Sequence, residues 1–340
     1  MDLRCSIILP LMMMNLWSAL AVITSLLVLT ACSHTATTTP SSNSGEVTHT
    51  TTGSTTNSYE VQLIATWLTV PRAITWISEH IWYVTERWGD IYQIDDQGHK
   101  AWYAQIPNVR NIEEAGLMDI AAHPDYSQNH YIYLSSATDG HLQITRYTDT
   151  GTGLVSPTII LDMLPAAKYH AWWWITFWPD GMLYLSVGDA TEKQKAQDTT
   201  SYHGKILRIR PDGSIPSDNP YSWSAIWSLW HRNVQWFDRS SEGEMYASEH
   251  GPSGFDGPWG GDEINHIVKW WNYGRPIVSH DKLKDGMTPA IATFTPAVAP
   301  ASLIWYDGDQ FPQRQDKLII GTLKGESILI LDPVTGQQVE

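Results

Sequence analysis

Ile81-Trp82-Tyr83-Val84-Thr85 is the first of four short runs that share one outline, a tyrosine at the centre of an apolar, strand-like segment. The other three are Tyr131-Ile132-Tyr133-Leu134-Ser135, Met182-Leu183-Tyr184-Leu185-Ser186 and Glu244-Met245-Tyr246-Ala247-Ser248. Their central tyrosines lie 50, 51 and 62 residues apart, and Lys317-Leu318-Ile319-Ile320-Gly321-Thr322 resembles a fifth copy. The recurrence indicates an internal structural repeat of about 50 residues.

A strand that recurs at this spacing predicts one four-stranded blade per repeat, and therefore an all-β propeller. The alternative is an all-β sandwich in which the spacing is a coincidence. A sandwich does not require the same strand–turn outline four times, so the repeats favour the propeller. Propellers bind ligands where the blade loops meet at the central channel, so polar loop residues are the candidates for function.

The composition sets limits on the class of protein and on its partners. The 340 residues carry 21 Lys+Arg against 36 Asp+Glu, a formal net charge of −15, and 42% of the residues are hydrophobic. A chain of this length and apolar content buries a large core. The negative charge excludes a nucleic-acid partner, because phosphate binding needs a basic face. The two cysteines, Cys5 and Cys32, cannot form a disulfide framework for the body of the protein.

The N-terminal segment has the pattern of a secretory signal. Arg4 precedes an apolar stretch over residues 7–29, which ends at Leu29-Thr30-Ala31-Cys32. This ending resembles the lipobox of bacterial lipoproteins, in which the cysteine is acylated. The alternative is a transmembrane anchor, since the stretch is nearly long enough to span a bilayer. We expect a lipid-anchored protein on the periplasmic face of a bacterial membrane or on the cell surface, and Ser33 favours the outer membrane in a Gram-negative cell.

These signals divide the chain into three parts. Residues 1–31 are predicted to be a lipoprotein signal peptide. Residues 32–58, rich in Ser and Thr, are predicted to be a flexible tether. Residues 59–340 are predicted to form the β-propeller.

Two candidate sites for chemistry lie in predicted loops. His170 precedes a repeat strand and Asp189 follows the same strand, so both are expected at one rim. A carboxylate that orients an imidazole makes a general base, although a lone histidine is more often structural. Arg232, in His231-Arg232-Asn233, has apolar flanks and suits a planar ligand that bears carboxylates. The alternative for this segment is a solvated loop.

Further candidates are a cation site and an isolated lysine. Glu249-His250-Gly251-Pro252 and Gly260-Gly261-Asp262-Glu263-Ile264-Asn265 combine carboxylates with backbone carbonyls in a Gly/Pro loop. Such oxygen ligands are the ones that Ca²⁺ prefers, and loop capping by Asp is the alternative. Lys324 directly follows the fifth repeat strand, where we expect it to reach the channel.

Several blocks, in this order and at this spacing, resemble the soluble PQQ-dependent sugar dehydrogenases, the group of aldose sugar dehydrogenases and soluble glucose dehydrogenases. The resemblance extends from about residue 60 to residue 340. The blocks are Gly116-Leu117-Met118-Asp119, His123-Pro124-Asp125-Tyr126, Gly204-Lys205-Ile206-Leu207-Arg208, Pro211-Asp212-Gly213, Trp227-Ser228 to Asn233, Glu249 to Pro252, Gly261 to Asn265 and Asn272-Tyr273-Gly274. The resemblance implies a six-bladed propeller with four-stranded antiparallel blades. Because the chain stops at Glu340, the last blade is expected to be incomplete.

The resemblance also implies a reaction, the PQQ- and Ca²⁺-dependent oxidation of the C1 hydroxyl of aldose sugars to lactones. His170 matches the catalytic base and Asp189 the acid that orients it. The electron acceptor that follows PQQ is not identified by these residues. The positions that match cofactor-binding residues are Glu114, Arg232, Asn233, Thr322, Leu323 and Lys324. The positions that match calcium ligands are Gly251, Pro252, Glu263 and Tyr273.

Tryptophan stands where the family usually has glycine. This holds in Ala171-Trp172-Trp173-Trp174 and at Trp178, Trp230 and Trp236. Glycine permits positive φ or a close backbone approach, so tryptophan at these positions predicts strain. The functional alternative is an aromatic platform for sugars. The C-terminal Arg-x-Arg motif of the family is also not found in this sequence. The tryptophans and the missing motif are the basis of an alternative function, a non-catalytic propeller that binds sugars or a partner protein.

Overall fold

The computed structural model describes residues 7–9, 24–30, 60–111, 113–170, 174–280, 282 and 284–340. The predicted signal peptide and tether fall mostly outside these residues, so both stay predictions. Two strands within the signal-peptide segment are described, β1 (Ile7–Leu9) and β2 (Thr24–Thr30). In the described ranges we find no helix that combines the length and the apolar character of a membrane crossing.

From residue 71 onward, the described part of the chain forms five successive antiparallel sheets, each built from one segment of sequence, which is the arrangement of propeller blades. Blade 1 contains β4 (Pro71–Ser78), β5 (Ile81–Glu86), β6 (Asp90–Asp95) and β7 (Lys100–Gln105). Blade 2 contains β8 (Leu117–Ala122), β9 (Tyr131–Ala137), β10 (Leu142–Asp149) and β11 (Leu154–Leu164), with the one-turn helix α1 (Tyr126–Asn129). Blade 3 contains β12 (Ile175–Phe177), β13 (Leu183–Val187), β14 (Lys205–Ile209) and β15 (Ile226–Leu229). Blade 4 contains β16 (Val234–Arg239), β17 (Met245–Glu249), β18 (Asp262–Ile267) and β19 (Ala292–Phe294), and blade 5 contains β20 (Pro300–Tyr306), β21 (Lys317–Thr322) and β22 (Ser327–Leu331).

The predicted count of six blades is wrong for the part of the chain that the structure describes. Five blades are present, four with four strands and one, blade 5, with three. The remaining sheet has the order β1-β2-β3, where β3 is Glu60–Leu68, and it packs on blade 1 through Ala65 and Leu68. The repeated motif occurs five times and each copy makes one blade, whereas the sixth blade was expected from the resemblance alone.

The predicted repeat strands are confirmed as the second strand of each blade, β5, β9, β13, β17 and β21. Every residue of β13 is buried. Leu183 and Leu185 of this strand share a core cluster with Tyr133 and Leu142 of blade 2. Because a blade packs between its neighbours, its inner strands bury both faces and read as continuous apolar runs.

The first strand of each blade lines the central channel. All five first strands contribute to the wall of a cavity of about 570 Å³. Asp119 of β8 accepts the backbone N–H of Ile175 in β12 at 2.5 Å, and Asp238 of β16 accepts that of Trp305 in β20 at 2.9 Å. Burial raises the pKa of Asp119 well above its usual range and the pKa of Asp238 to about 6. The side chains of these two aspartates therefore join neighbouring blades at the channel.

Among the described residues, three tryptophans have left-handed backbone conformations, namely Trp67 with φ 63°, Trp230 with φ 68° and Trp270 with φ 74°. A Cβ atom in this region crowds the backbone, so glycine is the residue that adopts it without strain. The strain expected at Trp230 is therefore present.

The other predicted positions behave differently. Trp174, Trp178 and Trp236 do not have positive φ, so the expected backbone strain is not found there. The indoles of Trp174 and Trp236 stack on each other, and both border the channel cavity. Trp172 and Trp173 lie outside the described residues.

We expect the Trp230→Gly variant to be more stable than Trp230→Ala by about 1 kcal/mol. Both variants remove the indole and differ only in the Cβ atom, which is strained at positive φ. The free energies of unfolding in urea measure the difference. At Trp236, which lies in a strand at negative φ, the order should reverse in the matched pair, because glycine weakens a strand interior. Equal stability of the two Trp230 variants would contradict this account.

Candidate active site

His170 and Asp189 meet at one end of blade 3. His170 precedes β12 and Asp189 follows β13, and because these strands are antiparallel neighbours, the two residues lie at the same end. The imidazole Nδ1 of His170 is 2.6 Å from Oδ1 of Asp189, and the two side chains are 4% and 0% exposed. The predicted pair is therefore brought together and buried.

Asp189 is held as an anion by its surroundings. Its Oδ1 also accepts the backbone N–H of Thr191, and its Oδ2 accepts Nε of Arg275 at 2.9 Å. Burial by itself raises the pKa of a carboxyl group, but the hydrogen bond from His170 and the charge of Arg275 hold the pKa of Asp189 below its usual value. A buried anion beside Nδ1 favours the tautomer that donates from Nδ1, which leaves Nε2 as the basic atom.

Glu114 lies behind the main chain of His170. Its Oε2 accepts the backbone N–H of His170 at 2.8 Å, and Arg72 donates to the Glu114 carbonyl. His170 has φ 58°, and its carbonyl lies so close to Gly188 that a Cβ at residue 188 would overlap it. The predicted cofactor residue Glu114 thus holds the histidine backbone, and Gly188 is required by the close approach.

Arg232 is buried and ion-paired. Its Nε donates to Asp256 at 2.8 Å, and its other nitrogens donate to the His250 carbonyl and to Ser253 Oγ. Burial tends to raise the pKa of Asp256, but the hydrogen bonds from Arg232, Ser253 N–H and Arg275 set it well below its usual range. Arg232 is therefore the cation of a buried network rather than of a solvated loop.

One Gly-rich loop, residues 251–261, contacts predicted site residues of three blades. The Phe255 ring stacks on the imidazole of His170 with ring centroids 5.7 Å apart. Asp256 binds Arg232, and Nζ of Lys324 lies 5.6 Å from the centre of a Trp259 ring. The loop therefore brings the candidate residues of blades 3, 4 and 5 to one end of the channel.

Thr322 and Leu323 have structural contacts in the turn between β21 and β22. Thr322 Oγ1 donates to the Ser327 carbonyl, and the Leu323 N–H donates to Ala299. Lys324 is the member of this predicted trio whose side chain is exposed.

Three of the four predicted calcium ligands have structural contacts of their own. Gly251 N–H donates to Asp262 Oδ1, and Pro252 lies against Gly257. The Tyr273 hydroxyl donates to the His266 carbonyl, so this side chain is engaged elsewhere. Within the described residues, no group of three or more His, Cys, Asp or Glu side chains is arranged to hold a metal ion.

Glu263, one of the predicted calcium ligands, lies beside a second carboxyl group. It pairs across the strands with Glu249, and burial followed by the charge of Glu249 raises the pKa of Glu263 to about 8. Oδ1 of Asn233 and Oδ1 of Asn265 are buried without a hydrogen-bond partner in the described structure. Two paired carboxylates and the unpaired amide oxygen of Asn265, whose Nδ2 lies beside Glu263, are hard oxygen donors.

The protein can now be placed among known ones. A family model described as glucose/sorbosone dehydrogenase matches residues 68–340. The chain belongs to this family. It is 30% identical over 251 residues to an uncharacterized protein of Synechocystis, with 64% of this chain and 59% of that protein aligned. It is 33% identical over 267 residues to quinoprotein glucose dehydrogenase B of Acinetobacter calcoaceticus, with 67% and 54% aligned.

The fold of this glucose/sorbosone dehydrogenase family member is similar to that of a solved structure with a bound cofactor. The PQQ-bound form of aldose sugar dehydrogenase from Streptomyces coelicolor superposes with a TM-score of 0.74 at 27% identity, over 81% of each chain. The chain spans between half and two thirds of the length of the two curated relatives named above.

Three residues of the site were missed by the sequence reasoning. Arg275 follows the block Asn272-Tyr273-Gly274 directly, and Phe255 and Asp256 lie between the two halves of the candidate calcium loop. A charged residue beside a recognised block was the available signal for Arg275. No pattern in the sequence indicates that Asp256 pairs with Arg232.

The lowered pKa of Asp256 predicts a stability effect in acid. Its contribution is present above the carboxyl group's unfolded pKa and is lost as the pH falls through the lower folded value. The Asp256→Asn variant should therefore be less stable than the wild type at pH 5 and should lose less stability between pH 5 and pH 3. Urea unfolding at several pH values measures the slope.

Asp139→Asn, on an exposed carboxylate paired with Arg110, is the control and should keep the wild-type slope. The account of Asp256 fails if the Asp256→Asn slope is as steep as that of the wild type.

Proposed function

We propose that the protein is a sugar dehydrogenase that uses PQQ and Ca²⁺ to oxidise the C1 hydroxyl of aldoses to lactones. The observation that carries the proposal is the buried His170–Asp189 pair at the channel end where Arg232 and Lys324 also lie. The names of the relatives, a quinoprotein glucose dehydrogenase and a PQQ-bound aldose sugar dehydrogenase, support the same chemistry.

The residues at the site fit PQQ, a planar quinone that bears three carboxylates. The buried guanidinium of Arg232 already binds a carboxylate, that of Asp256, and a carboxylate of PQQ would take the place of this partner. Lys324 presents an exposed ammonium. Oδ1 of Asn233 is buried without a partner and is available to a donor on the ligand. These three residues would hold the cofactor.

The residues also fit a calcium ion. Glu263 faces Glu249 across two strands, and a divalent cation would replace their repulsion by coordination. The backbone carbonyls of Gly251 and Pro252 are the other candidate ligands in this loop. Bound Ca²⁺ would act as a Lewis acid on the quinone.

PQQ, when bound, would supply a two-electron acceptor for the hydride that leaves C1 of the sugar. The chain supplies the base. Nε2 of His170 points away from Asp189 and takes the proton of the C1 hydroxyl, while Asp189 fixes the imidazole and stabilises its positive charge. The C1–H and O–H bonds break, the C1 carbonyl of the lactone forms, and the proton remains on His170.

The His170→Ala variant tests this assignment. Because it removes the base, we expect kcat to fall by at least about 100-fold, while the affinity for PQQ changes little. The measurements are reduction of an artificial dye by glucose in the presence of PQQ and Ca²⁺, and titration of PQQ by fluorescence. His80→Ala, an exposed histidine paired with Asp96 at the turn between β4 and β5, is the control. Turnover by His170→Ala equal to that of the wild type would refute the proposed base.

We also propose that the protein is anchored by a lipid on Cys32, on the periplasmic face of a bacterial membrane or on the cell surface. The Leu29-Thr30-Ala31-Cys32 sequence supports this. The Cys32→Ser variant should move from the membrane fraction to the soluble fraction, because it cannot carry the acyl chains. Cys5→Ser should stay with the membrane, and a Cys32→Ser protein that still sediments with membranes would contradict the anchor.

A further inference from the structure

Arg275 links two buried aspartates of the site. Its Nε donates to Asp189 Oδ2 at 2.9 Å, and its Nη2 lies 2.8 Å from the same oxygen and 2.7 Å from Asp256 Oδ2. Asp256 in turn binds Arg232. The charges alternate along one buried chain, which joins the imidazole of His170 to the guanidinium of Arg232.

The backbone fixes the position of Arg275. Its N–H donates to the Trp230 carbonyl at 3.0 Å, and the side chain of Gln197 donates to its carbonyl. Gly274, immediately before it, has φ 92°, a conformation that glycine adopts without strain. The guanidinium is therefore preorganised between segments of blades 3 and 4.

Arg275 acts on the carboxylate atom that His170 does not use. Oδ1 of Asp189 bonds His170 and Thr191 N–H, whereas Oδ2 bonds Arg275. A carboxylate held at both oxygens cannot rotate about its Cβ–Cγ bond, so the line from Oδ1 to Nδ1 is fixed. Asp189 and Arg275 are 0% and 8% exposed, so water does not substitute for the contact.

We propose that Arg275 is a positioning residue of the reaction described above: it locks Asp189 and thereby sets the orientation of the His170 imidazole toward the sugar. The expected loss of kcat rests on the proposed function, whereas the expected change in the His170–Asp189 contact does not. Its guanidinium is paired with two carboxylates of the chain, so its action on the substrate passes through Asp189 and His170.

The Arg275→Gln and Arg275→Lys variants test the proposal. Misplacement of a catalytic group by about 1 Å costs about 100-fold in rate, so Arg275→Gln should lower kcat by about that factor. KM for glucose should stay within about threefold, because the action of Arg275 on the substrate passes through Asp189 and His170. Arg275→Lys retains a positive charge beside Asp189 and should recover part of the lost kcat.

A second measurement needs no turnover. In the wild-type protein without added PQQ, the proton between His170 Nδ1 and Asp189 should give a downfield ¹H NMR resonance that is absent from His170→Ala. In Arg275→Gln this resonance should shift or broaden. In Arg275→Lys it should lie nearer to the wild-type position.

Arg208→Gln is the matched control for the loss of a buried, ion-paired arginine. Arg208 bridges Asp180 and Asp218 and makes no contact with His170 or Asp189 in the described structure. This variant should lose stability but keep its kcat and the downfield resonance at temperatures where it is folded. Circular dichroism melting of each variant identifies those temperatures.

Wild-type kcat together with an unchanged resonance in folded Arg275→Gln would overturn the positioning role, as would an equal loss of kcat in Arg208→Gln. If Arg275→Gln does not fold, Arg275→Lys decides, and wild-type kcat and an unshifted resonance in that variant would overturn the role. If the wild type oxidises no aldose, the proposed function fails. The resonance in the Arg275 variants then still supports the positioning role if it moves, and refutes it if it does not.

Discussion

A carboxylate that water does not reach must find its hydrogen bonds and its counter-charge within the protein, and Asp189 is such a group. His170, Thr191 N–H and Arg275 satisfy it. This requirement ties the end of β13 to the residue before β12 and to the loop between β18 and β19 of blade 4. The arrangement of the candidate active site depends on this one buried charge, because its partners His170 and Arg275 are themselves held by Glu114 and by Asp256.

The repeated strands could be predicted from sequence because each is buried on both faces and therefore stays apolar in every copy. The number of blades could not, because the sixth was expected only from resemblance to longer relatives. Strand β3 pairs with Thr24–Thr30. The two segments share no sequence pattern, so their pairing could not be predicted from either one.

The His170–Asp189 pair was predictable because both residues flank a single antiparallel hairpin. The contacts of Arg275 with Asp189 and of Arg232 with Asp256 span 86 and 24 residues of sequence, so no local pattern predicts them. Cofactor binding by Glu114 stays a prediction; the contact of its Oε2 with the backbone N–H of His170 spans 56 residues and has no local pattern either. The glycine-like backbone at Trp230 was predictable because φ is a local property, whereas the stacking of Trp174 on Trp236 depends on the closure of the channel.

The proposed reaction requires that an imidazole fixed by Asp189 removes the hydroxyl proton while C1 gives up its hydride to a bound quinone. Single-turnover stopped-flow absorbance tests it most directly, with protein loaded with PQQ and Ca²⁺ and mixed anaerobically with glucose or with glucose deuterated at C1. The account predicts bleaching of the oxidised quinone band, one lactone per cofactor, and slower bleaching with the deuterated sugar. A loaded protein whose quinone band does not change with either sugar, or with any other aldose, would contradict it.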